Sequence, residues 1–541
     1  VFELGKKGFD VVIGNPPYVR QEAIADPQML REKLGNQNKK AYKAKLAPAG
    51  YQALPHFFGY DPAKDKASRK LGGRCDLYIY FYLKGLSLLN PKGSFCFITS
   101  NSWLDVGYGK DLQEFLLKQC HVKMIIDNQV RRSFAASDVN TIIALLSPPL
   151  DAGESAFDRP ARFIMFKVPF EQILSPVIFE EIEEAADRKT TPEYRVHPIR
   201  QESLFDDGCE ILQKGKVDDK PIGPLIKVAR YIGNKWGGKY LRAPDIFHRV
   251  CIAAREALVP LGSLGRVRYP IKTGINEFFY VRSDVIDRFG IEDQFLVRVV
   301  KSPKEFFGIR LRENDLSTYL FACPKSTKEL RDQNCWGALN YIQSGSMQKT
   351  TARQKSGGGV PWPEAPSVRG RRHWYSVEPI RPADVICNRF FNERFFFGYA
   401  DFPVVEDQTF YGCTFHARSR SAVALQRAVL NSTVQFLLTE ICGRVGLGQG
   451  VLQYATYEMG QMLTLDAERF TRQERSRLTP AFRGLVDHEI PAIAKGFASE
   501  ERKALDGAVF DALGLTRRER EAVYEAVIEL VEQRLKKARS L

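Results

Sequence analysis

One short segment of the sequence has the residue types needed for chemistry on an amine. Gly14-Asn15-Pro16-Pro17-Tyr18 directly follows the apolar run Val11-Val12-Ile13. Two consecutive prolines fix φ and remove two backbone donors, so the turn is rigid and can direct the Asn15 amide oxygen and a backbone carbonyl at one point. Acceptors without competing donors suit an exocyclic amine, and Tyr18 offers a flat face for a planar ring. Such a site could methylate an amine by in-line transfer from a sulfonium donor.

Alternating strands and helices surround this segment. Apolar runs predict strands at 9–13, 94–99, 123–127, 140–146 and 162–168. Amphipathic patterns predict helices at 76–89 and 111–119. This alternation is typical of a doubly wound α/β sheet, in which ligands bind at the carboxyl ends of parallel strands. Asn15 and Tyr18 would then lie at the binding edge of the sheet.

The basic charge is concentrated in the middle of the chain. The 541 residues have a formal net charge of +15, from 79 Lys and Arg against 64 Asp and Glu. Residues 216–470 carry 36 basic and 25 acidic side chains, a difference of +11, whereas 1–215 and 471–541 carry +2 each. A basic segment of this kind usually meets a polyanion, most often nucleic acid. Scattered, solvated Lys and Arg are the alternative.

Composition divides the chain into three predicted parts. Residues 1–215 form the α/β domain, and 171–215 within it reads as an acidic, turn-rich connector. Residues 216–470 hold short aromatic and β-branched pieces between Gly and Pro, and we expect an α+β domain there. Residues 471–541 are predicted to be a helical C-terminal tail.

The helical tail has its own boundary signals. Gly514 is expected to end one helix. Thr516 and Glu519 have the spacing of a capping box, in which each side chain accepts from the other residue's backbone N–H, at the start of the last helix.

Several classes of protein are disfavoured. No window approaches 18 uninterrupted apolar residues, and the first seven residues are too polar for a signal peptide, so we expect a cytoplasmic protein without a membrane partner. The ten Cys form no CxxC pair, and the seven His show no HxxxH or Cys-paired spacing, so no metal site is predicted. We expect a monomer.

An ordered series of motifs resembles a known family. DVVIGNPPYV (10–19) resembles motif IV of the amino-group methyltransferases that use S-adenosylmethionine, specifically the gamma-class N6-adenine DNA methyltransferases of the type IIG restriction–modification kind. DLYIYF (76–81), SFCFITSNSWL (94–104), KMIID (123–127) and the stretch 133–141 are similar to motifs V to VIII. The segments KTGINEFFYV (272–281), VVEDQTFY (404–411) and 430–450 look like the family's target-recognition domain.

The resemblance implies a partial Rossmann-like methyltransferase sheet, followed by a target-recognition domain, with S-adenosylmethionine as cofactor and double-stranded DNA as partner. Asn15 and the Pro16 carbonyl would accept from the N6 amine of an adenine flipped out of the duplex. Tyr18 would stack on that base, and Phe134 matches the second aromatic; a core aromatic is the alternative for Phe134. The expected cofactor-binding residues are Asn15, Pro17 and Phe81, and a core position is the alternative for Phe81.

Basic residues interleave with aromatic residues in the predicted recognition domain. Phosphate contacts position a duplex, and base-edge contacts select its sequence. The candidate DNA-binding residues are Lys272, Lys301, Lys304, Lys349, Arg353, Lys355, Arg371 and Arg372.

The chain departs from the family pattern in one respect. The family places its glycine-rich cofactor loop before motif IV, and only 14 residues precede Asn15. GRVGLGQG (443–450) is a possible substitute, but it follows the helix-like FLLTEIC, whereas a cofactor loop should follow a strand. We therefore expect a recognition-domain loop at 443–450. We also expect the chain to be the C-terminal part of a longer protein whose N-terminal region supplies the cofactor loop and any nuclease domain.

Two other functions fit part of the pattern. The same Asn-Pro-Pro-Tyr turn serves methyltransferases that modify adenine in RNA or glutamine in proteins. A non-catalytic DNA specificity subunit could keep the scaffold without the activity. Intact Asn15 and Tyr18 favour an enzyme, and the basic segment 216–470 favours DNA.

Overall fold

The fold is described from a computed structural model. The structure describes residues 8–29, 36–134, 139–151, 153–173, 175–217, 220–350, 359–377, 382–417, 419–445 and 450–540. The chain forms two compact units. The first unit comprises Val1–Ala243, Arg444–Leu452 and Glu532–Leu541, and the second comprises Pro244–Gly443 and Gln453–Val531. The three-part division expected from composition stays a prediction.

A seven-stranded mixed sheet forms the centre of the first unit. Its strands are β1 (Phe9–Gly14), β2 (Leu89–Ser100), β3 (Val122–Asn128), β4 (Thr141–Leu146), β5 (Pro160–Phe166), β6 (Lys189–Thr190) and β7 (Tyr194–Arg200), in the spatial order β1-β2-β4-β3-β5-β7-β6. β1 is parallel to β2, and β3 is parallel to β5, whereas β4 and β7 run antiparallel to their neighbours. The predicted α/β class and its five strands are confirmed, although the sheet is not purely parallel.

Helices cover this sheet. They are α1 (Asn36–Ala53), α2 (Leu77–Leu86), α3 (Gly109–Gln119), α4 (Pro176–Glu184) and α5 (Gln201–Asp207), with a one-turn helix at Pro55–Phe58. The predictions of helices at 76–89 and 111–119 are confirmed by α2 and α3. α2 packs closely on β2, because a Cβ at Gly85 would lie 2.8 Å from the ring of Phe95 and 3.2 Å from that of Phe97.

The expected connector at 171–215 is wrong. That segment contains α4, β6, β7 and α5, and β7 pairs with β5 along its whole length. The glutamates of α4 gave the segment the composition of a connector because they lie on the exposed side of the helix. Ile182 beside them is buried. After α5, the strands β8 (Cys209–Val217) and β9 (Lys220–Tyr231) form a two-stranded antiparallel ribbon.

An aromatic cluster forms the core behind β2. Tyr82 of α2 lies 5.3 Å from Phe95 and 5.6 Å from Phe97, measured between ring centroids, and Trp103 is 5.9 Å from Tyr82. Trp236 extends the cluster, with its ring centroid 5.8 Å from that of Trp103. All five rings are buried, so β2 is fixed in position by apolar contacts on this face.

The second unit mixes short strands and helices, as expected of an α+β domain. Its strands are β10 (Leu258–Pro260), β11 (Gly265–Arg268), β12 (Tyr280–Val281), β13 (Leu296–Val300), β14 (Tyr319–Phe321), β15 (Val385–Asn388), β16 (Phe397–Gly398), β17 (Val404–Glu406), β18 (Phe410–Phe415) and β19 (Leu463–Leu465). They form the sheets β11-β18-β15-β16 and β12-β14-β13-β17 and the pair β10-β19.

The helices of this part of the chain are α6 (Asp245–Ala253), α7 (Ser283–Phe289), α8 (Thr327–Asp332), α9 (Trp336–Ser346), α10 (Arg420–Leu430), α11 (Thr433–Cys442), α12 (Thr456–Gln461), α13 (Arg472–Leu485), α14 (Glu500–Ala512) and α15 (Arg517–Ala538). Gly514 has φ +62° after α14. Thr516 N donates to Glu519 Oε2 at 2.8 Å, and Glu519 N donates to Thr516 Oγ1 at 3.4 Å. Both predicted boundary signals are confirmed.

A buried carboxylate joins α14 to the start of α11. Asp506 is fully buried and accepts from Thr433 N at 2.7 Å, from Thr433 Oγ1 at 2.6 Å and from Tyr524 Oη at 3.2 Å. Burial raises the pKa of Asp506, and the Arg502 guanidinium and the Thr433 donors act in the opposite direction. The carboxylate therefore satisfies several donors that have no access to water.

Replacing Asp506 by Ala should strongly destabilise the second unit. The substitution leaves the Thr433 donors without their acceptor and the buried Arg502 without its carboxylate counter-ion, and such losses cost about 3–5 kcal/mol. Denaturant unfolding of Asp506→Ala measures the change. Asp511 lies on the same helix and pairs with Arg520 at a partly exposed position, so Asp511→Ala should cost no more than about 1 kcal/mol. Equal losses from the two variants would contradict the assignment.

Candidate active site

The Asn-Pro-Pro-Tyr turn leaves the sheet at the carboxyl end of β1. In the parallel pair, Ile13 lies opposite Cys96 and Gly14 opposite Phe97. A Cβ at Gly14 would lie 3.0 Å from the ring of Phe97, so glycine lets the chain pass close to that ring before it turns. The turn therefore lies at the carboxyl end of a parallel strand, where ligands bind in open α/β sheets.

The residues of the turn alternate between exposed and buried positions. Asn15 and Pro17 are exposed, while Pro16 is buried. Within the part of the chain that the structure describes, the Asn15 side chain makes no hydrogen bond. Its amide oxygen is therefore available to accept from a ligand.

Tyr18 is held by its own hydroxyl. Tyr18 Oη donates to the backbone oxygen of Ile98 on β2 at 3.1 Å. Burial raises the pKa of Tyr18 to about 12, so the hydroxyl stays protonated and keeps donating at physiological pH. The hydrogen bond fixes where the ring lies relative to the sheet edge.

Phe134 lies beside Tyr18. Their ring centroids are 6.2 Å apart, and the ring planes are inclined by 54°. The two rings contact each other but do not form a parallel slot. A planar base stacked on one ring would therefore meet the other at an angle. Phe134 is half-buried, and residues 135–138 that follow it lie outside the described residues.

Asp76 fixes the chain that follows the turn. Its carboxylate accepts from Gln21 N at 2.8 Å and from Tyr108 Oη at 2.7 Å, and the next residue donates through Leu77 N to Val19 O at 3.0 Å. Burial raises the pKa of Asp76, while the Tyr108 and Gln21 hydrogen bonds lower it. The motif DLYIYF includes Asp76, but nothing in the sequence indicated that its carboxylate accepts from Gln21 N and Tyr108 Oη. Asp76 directly precedes α2, but its side chain makes no cap hydrogen bond to that helix.

Phe81 is on the exposed side of α2. Its side chain is 41% exposed, whereas Tyr78, Ile79 and Tyr82 of the same helix are buried. A core position, the alternative considered from the sequence, does not describe this residue. The exposed ring offers an apolar surface on α2, the helix that follows Asp76.

In the second unit, Lys272 lies on a loop that Arg371 holds. The Arg371 guanidinium donates to the carbonyls of Lys272, Thr273 and Ser376 at 2.8 Å each. Lys272 is exposed, and its Nζ lies 5.1 Å from the ring centroid of Tyr269, which is 43% exposed. Arg371 thus has a structural role in presenting the loop, whatever else it contacts.

The other basic candidates differ in their surroundings. Lys301 Nζ lies 5.0 Å from the ring centroid of Tyr280, whose hydroxyl donates to Asp407 at 2.7 Å. Lys304, Lys349 and Arg372 are exposed. Arg353 and Lys355 lie outside the described residues.

Among the described residues, no group of three or more His, Cys, Asp or Glu side chains is arranged to hold a metal ion. No helix in the same ranges is long and apolar enough to span a membrane. The segment 443–450 follows helix α11, and 446–449 within it lie outside the described residues.

A mixed α/β sheet with an Asn-Pro-Pro-Tyr turn at the carboxyl end of its edge strand is typical of a methyltransferase domain. Residues 1–58 and 51–134 match the family described as Eco57I restriction-modification methylase. Residues 233–485 match the family described as Type II methyltransferase M.Eco57I, C-terminal domain. The chain therefore carries Eco57I-type restriction–modification methylase domains over residues 1–134 and 233–485.

Individual relatives cover smaller parts of the chain. It is 24% identical over 324 residues to the Type II methyltransferase M.AccI of Acinetobacter calcoaceticus, which covers 58% of this chain and 48% of that protein. It is 31% identical over 119 residues to M.PaeR7I of Pseudomonas aeruginosa, covering 22% of this chain and 15% of that protein. The Type IIL enzyme MmeI, solved in complex with DNA, has a TM-score of 0.48 at 13% identity, covering 98% of this chain and 57% of that one. The chain thus spans about half the length of its first relative or less.

Removing the Asp76 carboxylate should loosen the chain after the turn. Asp76→Ala leaves Gln21 N and the Tyr108 hydroxyl without their acceptor, and the free energy of local opening should fall by about 1–3 kcal/mol. Hydrogen exchange of the Gln21 amide measures this change. Asp61 is the matched control because its carboxylate accepts from Ala63 N in a separate loop. If Asp61→Ala speeds exchange at Gln21 as much as Asp76→Ala does, the tether assignment is wrong.

Proposed function

We propose that this chain carries the target-amine site of an S-adenosylmethionine-dependent methyltransferase that modifies the N6 amine of adenine in a specific DNA sequence. The observation that carries the proposal is the turn after β1. It presents the unpaired Asn15 amide at the carboxyl end of a parallel strand, next to the fixed ring of Tyr18. The restriction–modification methylase domains that the chain carries support methylation as the reaction.

The turn suits an aromatic amine because it supplies acceptors. The Asn15 side-chain oxygen and the Pro16 carbonyl would each accept one N–H of the amine. Both hydrogen bonds would strengthen as positive charge develops on the nitrogen during methyl transfer, so they would stabilise the transition state. The nitrogen then forms the new N–C bond as the S–C bond of the donor breaks, and the surplus N–H proton leaves the product through these acceptors to water.

Tyr18 and Phe134 would hold the extruded base. Flipping a base costs a few kcal/mol, and an aromatic stack contributes about 1–3 kcal/mol per base. The two contacting rings are therefore of the right magnitude to offset the cost. Their 54° inclination requires that Phe134, Tyr18 or both turn when a base enters between them.

The residues present fit S-adenosylmethionine in part. Pro17 is exposed, and Phe81 presents a 41% exposed ring, so both could bury apolar surface against the donor's adenine. When bound, the donor supplies an electrophilic methyl group. Asn15 would serve both ligands, since its side chain is exposed at the turn.

The second unit would bind double-stranded DNA. Its residues 244–443 carry 27 basic and 20 acidic side chains, a difference of +7. The Nζ atoms of Lys272 and Lys301 lie 5.1 and 5.0 Å from the ring centroids of Tyr269 and Tyr280. A Lys beside an aromatic side chain can neutralise phosphate while the ring packs on sugar or base. Lys304, Lys349 and Arg372 are exposed and would add phosphate contacts.

Transfer of a labelled methyl group tests the reaction. The complete gene product is incubated with radiolabelled donor and with DNA, RNA or protein, and we expect label in adenine of DNA. Asn15→Ala should lower the rate by at least about a hundredfold, because it removes a preorganised acceptor. Label in RNA adenine or in glutamine would replace the proposed acceptor. No transfer to any of the three would favour a non-catalytic specificity subunit.

Two Tyr18 variants separate the ring from the hydroxyl. Tyr18→Ala loses the stack and should lower the rate by about 5- to 150-fold. Tyr18→Phe keeps the ring and loses only one hydrogen bond, about 0.5–1.5 kcal/mol, so it should retain more activity than the Ala variant. Because the pKa of Tyr18 is about 12, the wild type and Tyr18→Phe should have the same pH profile between pH 7 and 9.

Salt titration tests the DNA surface. Lys272→Gln should weaken DNA binding and lower the slope of log affinity against log salt by up to about one unit, because one counterion fewer is released. Lys503 is the matched control, since it is exposed in the same unit but pairs with Glu500 at 2.9 Å. An unchanged slope in Lys272→Gln, or an equal change in Lys503→Gln, would count against a phosphate contact at Lys272.

A further inference from the structure

A segment far away in sequence packs beside the candidate active site. Glu532–Leu541 belongs to the first unit, together with the methylase sheet. Within it, Lys537 Nζ pairs with Asp127 Oδ1 on β3 at 2.8 Å. The two side chains are only 13% and 9% exposed, so this pair is largely shielded from water and from salt.

The contacts of this segment converge on one loop. The loop 128–134 runs from the end of β3 to Phe134. Arg132 within it is buried, and its guanidinium donates to the carbonyl of Ala538 at 3.1 Å. Its backbone N–H donates to Ser540 Oγ at 3.4 Å. Arg132 is two residues before Phe134, so the segment holds the loop immediately before the aromatic ring.

The other side of the loop is held by its own side chains. Asn128 Oδ1 accepts from Val130 N at 2.9 Å and from Arg131 N at 3.0 Å, which closes the first turn of the loop. Ser133 Oγ accepts from Thr141 Oγ1 at 2.7 Å. Local bonds therefore shape the loop, and Lys537, Ala538 and Ser540 fix where it lies.

A second piece of chain supports the same place. Gly450, at φ +69°, lies against this segment, because a Cβ there would be 2.8 Å from Ala538 Cβ and 2.9 Å from Arg534 O. Arg534 donates to the Gly450 carbonyl. The Val445 carbonyl accepts from Asn140 Nδ2 at 2.8 Å, and Asn140 directly precedes β4. Residues of Arg444–Leu452 and of Glu532–Leu541 thus contact the chain on either side of Phe134. Neither the motif series nor the composition indicates these contacts.

We propose that Glu532–Ser540 is a positioning element for the target base, in which Lys537 acts through Asp127 and the loop 128–134 to hold Phe134 against Tyr18. Lys537 is a positioning residue and touches no substrate. The proposal rests on the proposed function for the role of Phe134. A brace that serves only stability is the competing explanation, and the two differ in what a Lys537 variant does to turnover.

Four variants of the complete gene product test the proposal. Lys537→Met removes the charge and keeps the length of the side chain. Lys537→Arg restores the charge and should restore wild-type hydrogen exchange and turnover. Lys536→Met is the matched control, since Lys536 is the neighbouring residue on the same helix, has the same charge and is exposed. Asp127→Asn removes the partner from the other side and should reproduce the effect of Lys537→Met.

The first measurement needs no DNA. Hydrogen exchange of the amides at 129–134 should accelerate by about tenfold or more in Lys537→Met relative to the wild type and to Lys536→Met, with β2 amides unchanged. Unchanged exchange at 129–134 would overturn the claim that the segment holds the loop. This outcome is independent of the reaction that the protein catalyses.

The second measurement concerns the target base. With 2-aminopurine at the methylated position, Lys537→Met should show a smaller rise in fluorescence on binding and a kcat lower by about ten- to a hundredfold, with KM for DNA within about threefold. Loss of thermal stability with normal kcat and fluorescence would leave a structural brace and overturn the positioning role. If the wild type itself shows no fluorescence rise and no transfer to adenine, the proposed function fails, while the exchange result still decides whether the segment holds the loop.

Discussion

The parallel register of β1 on β2 is the constraint on which the candidate site depends. Ile13 opposite Cys96 and Gly14 opposite Phe97 decide where the edge strand ends, and so where Asn15 emerges. The same pairing puts Ile98 within reach of the Tyr18 hydroxyl, so one register sets both the amine acceptor and the stacking ring. A shift of one residue would turn every β1 side chain to the opposite face and would separate these two groups. The aromatic core of Tyr82, Phe95 and Phe97 stabilises β2 and therefore stabilises the register.

Much of the first unit could be predicted because its signals are local. Apolar runs marked β1 to β5, and the periodicity of α2 and α3 is strong. The turn residues Asn15 to Tyr18 are recognisable because each has a chemical reason to be there. What failed was the reading of 171–215, because glutamates on the outer face of α4 gave the segment a composition typical of a linker, while Tyr194 and Val196 of β7 complete the sheet. Composition averages over both faces of an element, and the fold depends on only one of them.

The parts of the site that the sequence did not reveal are those made by distant pairs. Asp76 tethers Gln21, and Lys537 reaches Asp127 across 410 residues of chain. No periodicity or motif spacing encodes such a pair, since either partner alone reads as an ordinary surface or cap residue. These contacts are nevertheless the ones that fix the loops around Tyr18 and Phe134. The residues that supply chemistry were therefore easier to find than the residues that position them.

The same distinction applies to charge in the basic middle of the chain. Counting gave residues 216–470 a net charge of +11, but a count treats every guanidinium and ammonium group alike. The Arg371 guanidinium donates to the carbonyls of Lys272, Thr273 and Ser376. Lys272 on that loop is exposed beside Tyr269. A cation that satisfies backbone carbonyls still contributes to the long-range field but has fewer donors left for a phosphate. The net charge thus sets attraction to a polyanion, and the selection of contacts falls to the smaller set of basic side chains that the fold leaves exposed.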